Sequence, residues 1–94
     1  MKVRFSPQAQ KELHAAVSYL ADKNLLAAAR LGRRLLMAID RIADGEFDGP
    51  RSQLKSGRWV QSWPVQPYRI YYRRQPETLE IVRVYHQSRR PIVR

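Results

Sequence analysis

His86 is the side chain here best suited to moving a proton, because imidazole titrates near neutral pH. Tyr85 stands beside it as a second group able to donate one. The ordinary reading of a histidine at this place is a hydrogen-bonded residue at a strand end, and that reading is favoured over a catalytic one. His14 lies far away in sequence, and two such histidines make no metal motif. Tyr68, Tyr71 and Tyr72 could stack on bases, and Trp59 and Trp63 could anchor a partner. Packing in a sheet is the plainer duty of all five.

Arginine is the commonest chemical group. Eighteen Lys and Arg oppose eight Asp and Glu, a formal net charge of +10, and only Lys2, Lys11, Lys23 and Lys55 are lysines. Guanidinium forks suit phosphates and carboxylates, so the surface fits nucleic acid or an acidic protein. Arg30, Arg33, Arg34 and Arg41 fall mainly outside the apolar stripe of a helix and read as a solvated face. Arg83, Arg89, Arg90 and Arg94 gather toward the C-terminal end, where a basic tail is expected to have no core duty and to serve a partner.

Ninety-four residues allow one domain, spanning 1–94. The absence of cysteine excludes disulfides and thiolate metal sites, and fits a reducing compartment. No cofactor motif is present. No apolar run approaches the roughly 20 residues of a membrane span, and the first residues lack a signal-peptide core. The expectation is a soluble cytoplasmic protein.

The elements that must position these groups are legible from periodicity. Lys2 to Phe5 alternates, with Val3 and Phe5 on one face, and predicts a strand. Ser6-Pro7 reads as an N-cap followed by proline at the first helical position. Ala9, Leu13, Ala16, Val17 and Leu20 give a helix over 7–21 one buried stripe, with Lys11, Glu12 and Ser18 outside it. Asn24 caps a second helix over 25–43, with Ala28, Leu31, Leu35, Ala38, Ile39 and Ile42 as its core and Gly45 as its terminator. A loop is expected over 46–57. Strands follow at 58–63, stopped by Pro64, at 68–73, and at 79–86. In the last, Val82 and Val84 should face one way and Ile81, Arg83 and Tyr85 the other. The result is an α+β fold of order β-α-α-β-β-β, a helical hairpin on one face of a mainly antiparallel sheet. The other face should be open or covered by a partner.

The run Pro67-Tyr68-Arg69-Ile70-Tyr71-Tyr72-Arg73, followed by Ile81-Val82-Arg83-Val84-Tyr85-His86-Gln87-Ser88-Arg89-Arg90, resembles the paired strands of the RelE/ParE toxin superfamily. The segment Ser6 to Ala21 is similar to its first helix, and the likeness covers essentially the whole chain. The resemblance implies a toxin of a type II toxin–antitoxin pair. RelE-like members cut messenger RNA on the ribosome; ParE-like members poison DNA gyrase on cleaved DNA. The ending from Val84 to Arg90 is nearer the ParE form.

RelE-like cleavage would fall to Arg69, His86 and Arg89, with Arg69 matching the arginine of the first strand motif. The terminal Tyr or His of those nucleases has no counterpart in Arg90 to Arg94. The resemblance therefore implies a non-catalytic gyrase inhibitor close to DNA. An acidic antitoxin, ParD-like or another short protein, would neutralise it in a hetero-oligomer. Trp59, Trp63, Arg69, Tyr71, Arg83, Arg89, Arg90 and Arg94 are the expected partner-binding residues.

Overall fold

The computed structural model describes residues 1–94. Strand β1 (Lys2–Phe5) leads into helix α1 (Pro7–Ala21) and helix α2 (Leu25–Ala43). Strands β2 (Arg51–Gln53), β3 (Trp59–Val65), β4 (Tyr68–Arg74) and β5 (Thr78–His86) follow. The sheet order is β1-β5-β4-β3-β2, with β1 parallel to β5 and every other pair antiparallel. The expected α+β architecture and element order are present.

Both helices begin where their caps predict. Ser6 Oγ accepts from the Ala9 amide at 3.0 Å, and Asn24 Oδ1 from the Ala27 amide at 3.0 Å. Their apolar stripes meet the sheet through Ala9, Ala16, Leu31, Leu35, Ile39 and Ile42, which pack with Ile70, Tyr72, Leu79, Ile81 and Val84. The C-terminal end of α2 is held by Arg74, whose guanidinium donates to the Ile42 carbonyl at 2.7 Å and the Phe47 carbonyl at 2.9 Å. Arg74 thereby adds a second bond to the Ile42 carbonyl, which also accepts from the Gly45 amide at 3.1 Å, and ties the helix end to the loop that follows it.

Four expectations need correction. The loop over 46–57 contains β2, a short edge strand paired with Trp59 to Gln61. Pro64 does not stop β3: it stands opposite Arg69, beyond the reach of β2, on an open edge where a missing N–H is tolerated.

The facing of β5 is also different. Tyr71 lies opposite Arg83 and Tyr72 opposite Ile81, so Val82 is an extra residue, a β-bulge. Ile81 and Val84 both join the helix-side core, while Val82 packs with Leu54, Val60 and Tyr71 on the other face and Tyr85 packs against them. Simple alternation fails because the bulge shifts the phase.

Finally, the second sheet face is partly covered by the chain's own tail. Ile92 and Val93 pack on it, Val93 bridges Leu54, and the Lys55 amide donates to the Ile92 carbonyl at 2.7 Å. The tail does have a core duty.

Candidate functional site

The bulge decides what the end of β5 presents. Residues after it are rotated, so Val84 and His86 turn toward the helices. There they meet the last turns of α1, the first turns of α2 and the β3–β4 hairpin. Together these enclose a cleft of ≈ 900 Å³. Its floor is apolar, with Ala16, Leu20, Leu31 and Val84, and Tyr19 rises at its rim. Arg30, Arg34 and Arg89 surround it, and Glu12 is the one carboxylate in its lining.

Beyond Phe5 the parallel partner of β5 ends, which leaves strand-edge groups open. Side chains from the start of α1 take them. Ser6 Oγ donates to the Val82 carbonyl at 2.8 Å, and Glu12 accepts from the Val84 amide at 3.0 Å. The same carboxylate accepts from Arg83 Nε, at 3.0 and 3.1 Å to its two oxygens, and from Nη2 at 2.6 Å. This hydrogen bonding, more than charge alone, raises the Arg83 pKa against the opposing effect of burial. Glu12 is therefore no solvated helix residue, contrary to the stripe reading. The signal that could have found it is a carboxylate one turn inside a helix that must cross an unpaired strand edge.

His86 is held in one arrangement. The Ser88 amide, which can only donate, bonds Nδ1 at 3.1 Å, and Ser88 Oγ lies 2.7 Å from the same nitrogen. Nδ1 is thus an acceptor and the ring proton sits on Nε2. The ring meets Tyr68 edge to face at 5.1 Å. Burial raises the Tyr68 phenol above its usual pKa, with Arg89 pulling the other way.

The residues singled out in sequence do not all converge. His86 and Arg89 line the cleft. Arg69 pairs with Tyr85 on the opposite sheet face, where its Nη1 donates to Ser62 Oγ at 2.8 Å. Tyr71 is buried on that face within the second core cluster. Arg83 is committed to Glu12, with its guanidinium also over the Tyr85 ring at 5.0 Å. Arg90 and Arg94 are exposed on the tail. Trp63 stacks on Phe47 at 4.3 Å against the helix-side core. Trp59 is more than half exposed, with Arg51 over its ring at 5.3 Å. No group of three or more His, Cys, Asp or Glu is placed to hold a metal ion. No helix is long and apolar enough to cross a membrane.

Sequence reasoning missed the exposed apolar residues of the helical layer. Tyr19, Leu25, Leu26, Leu36 and Met37 all stand free on the hairpin. Apolar residues outside a helix's buried stripe were the available signal.

Comparison with known proteins gives a family model for the ParE toxin of type II toxin–antitoxin systems, parDE, matched over residues 3–91. No curated protein matches the chain. Among solved structures, the chromosomal ParDE toxin–antitoxin system from P. aeruginosa is similar with a TM-score of 0.73 and 13% identity. That likeness covers 92% of this chain and 95% of the other.

Proposed function

The chain belongs to the ParE toxin family, and on that premise we propose that it inhibits DNA gyrase by binding, close to DNA, and is neutralised by a cognate antitoxin. The family match over residues 3–91 carries the reading. Binding rather than catalysis is supported by the division of the candidate catalytic set. Arg69 lies on one sheet face, while His86 and Arg89 lie on the other, beside the cleft. General acid–base catalysis needs its groups within hydrogen-bond reach of one substrate. A ring whose Nδ1 is occupied by Ser88 and whose Nε2 bears the proton serves structure well and lacks a free nitrogen to act as base.

The antitoxin's place is the helical face. An apolar cleft ringed by Arg30, Arg34 and Arg89, with Tyr19 exposed at its rim, suits an amphipathic acidic segment that folds on contact.

The test is a supercoiling assay with purified gyrase beside an mRNA-cleavage assay in a translation extract. The expected result is loss of supercoiling or accumulation of cleaved plasmid, with mRNA intact and His86→Ala within a few fold of wild type. Removal of a general acid–base would instead cost roughly 10²–10⁴ in rate. Site-specific mRNA cuts abolished by His86→Ala in a folded variant would replace this function with that of an endoribonuclease.

A further inference from the structure

The surplus positive charge is not spread evenly. At the end of the sheet nearest the chain start, the face turned away from the helices carries a row of cations across three strands. Arg4 stands opposite Glu80 in the parallel β1–β5 pair, and Arg73 stands opposite Glu80 in the antiparallel β4–β5 pair. Phe5, next to Arg4, packs against the helix-side core, so Arg4 projects to the other side. Lys2 follows on the same side, and Arg58 reaches in from β3's start.

Glu80 is the single carboxylate within the row, and it is buried. Its Oε1 accepts from Arg58 at 3.1 Å and faces Arg73 at 3.5 Å, which fixes two guanidiniums whose side chains remain about 40% exposed. Glu77 lies at the border, in the β4–β5 turn. Lys2 and Arg4 are exposed and take part in no ion pair. Four cations around one carboxylate leave this patch strongly positive.

We infer that this sheet face binds the phosphate backbone of duplex DNA, in a sequence-independent way, through Lys2, Arg4, Arg58 and Arg73. Three features select that occupant. An acidic protein would need apolar anchors at the centre of its footprint. Of the exposed large apolar residues, Tyr19, Leu25, Leu26, Leu36 and Met37 are on the helical layer, while Val3 and Trp59, beside the row in sequence, alternate to the other side of the sheet and Met1 precedes it. A single strand would be held by aromatic stacking, and no exposed aromatic stands in this row. Adjacent strands lie about 4.8 Å apart, so the backbones of Arg4 and Arg73 are about 10 Å apart. Two arginines that straddle β5 so can engage separate phosphates.

The contact needs no gyrase, so it is measured separately from the proposed inhibition, and either result can fail alone. The experiment is fluorescence anisotropy of a labelled random-sequence duplex, titrated with the full chain from low to moderate salt. Four phosphate contacts imply a slope of log affinity against log salt near −3.6, or about 150-fold weakening between 50 and 200 mM.

Lys2→Ala with Arg4→Ala should reduce the slope by about 1.8. Lys11→Ala with Lys23→Ala removes equal charge from the helical layer and should leave the slope unchanged. Arg4→Lys keeps the charge and should retain binding, which separates a phosphate contact from a damaged strand β1. Equal losses in the two charge-matched pairs would overturn the inference. So would tighter binding to a single strand of the same length, or binding to polyglutamate with none to the duplex.

Discussion

Glu12 illustrates how one side chain can serve three roles: it pairs with Arg83, caps the open edge of β5 at Val84, and joins α1 to the sheet. Its side chain is 13% exposed and that of Arg83 24%, so the pair is mostly withdrawn from water. Glu12→Gln keeps the shape and still accepts from the Val84 amide, but it leaves Arg83 without its counter-charge. The expected cost is about 3 kcal/mol, the lower end for a broken buried pair because some water remains. Urea unfolding of the two proteins measures it. Tyr71 makes a second prediction, about pH. Burial holds its phenol above the usual 10.0, and nearby Arg69 offsets this only in part. Above about pH 10 the unfolded chain therefore gives up this proton more readily than the folded one, and stability falls as pH rises. Tyr71→Phe removes the ionisable group, so its unfolding free energy should decline less steeply than that of wild type over the same alkaline range.

At the scale of elements, close packing of the β2–β3 corner turns on Gly49. A methyl group there would overlap the Ser62 carbonyl, while the Gly49 amide donates to the Tyr72 hydroxyl at 2.8 Å. Gly49→Ala should lower stability by about 2–3 kcal/mol, the usual scale of overpacking, read from a denaturant midpoint. The tail makes a parallel case. Removing residues 91–94 takes away Ile92 and Val93, both half-buried on Leu54, Val60, Tyr71 and Val82. About 2 kcal/mol should be lost, together with increased binding of a hydrophobic dye to the uncovered face. These two places also mark where sequence stops being informative. The helices were legible because Ser6, Asn24 and the 3.6-residue stripe are local signals. β4 and β5 were legible through their branched and aromatic runs. The bulge at Val82 was not, because an extra residue leaves no mark in an apolar run and depends on register with Tyr71 and Tyr72. β2 is only three residues long, and the tail's hydrogen bonds to Gln53 and Lys55 join segments far apart in sequence. The candidate site suffered most: the facing of His86 depends on that bulge, and the commitment of Arg83 to Glu12 crosses from strand to helix.

The whole molecule is a plate of about 37 × 29 × 21 Å, two layers thick, so it has two broad faces with different chemistry. The helical face combines an apolar cleft with exposed Tyr19, Leu25 and Leu26; the opposite face carries Lys2, Arg4, Arg58 and Arg73. An antitoxin seated on the helical face would draw its affinity from apolar burial and its speed of encounter from the basic rim. These contributions respond differently to salt, because a Debye length of about 10 Å at 0.1 M screens exposed charges and leaves buried contacts almost untouched. Raising salt should therefore slow association with the cognate antitoxin while dissociation stays nearly constant. Tyr19→Ala should do the reverse. Tyr19 stands exposed beside the cleft, where a bound segment would bury it, and truncation of a buried aromatic anchor costs about 2 kcal/mol, some 30-fold in affinity, mainly through faster dissociation. Lys2→Ala with Arg4→Ala, on the far face, should leave dissociation unchanged. Surface plasmon resonance with the antitoxin immobilised separates the two rates. If Tyr19→Ala left dissociation as in wild type while Lys2→Ala with Arg4→Ala accelerated it, the antitoxin would belong on the sheet face. The helical hairpin's exposed apolar surface would then require another occupant.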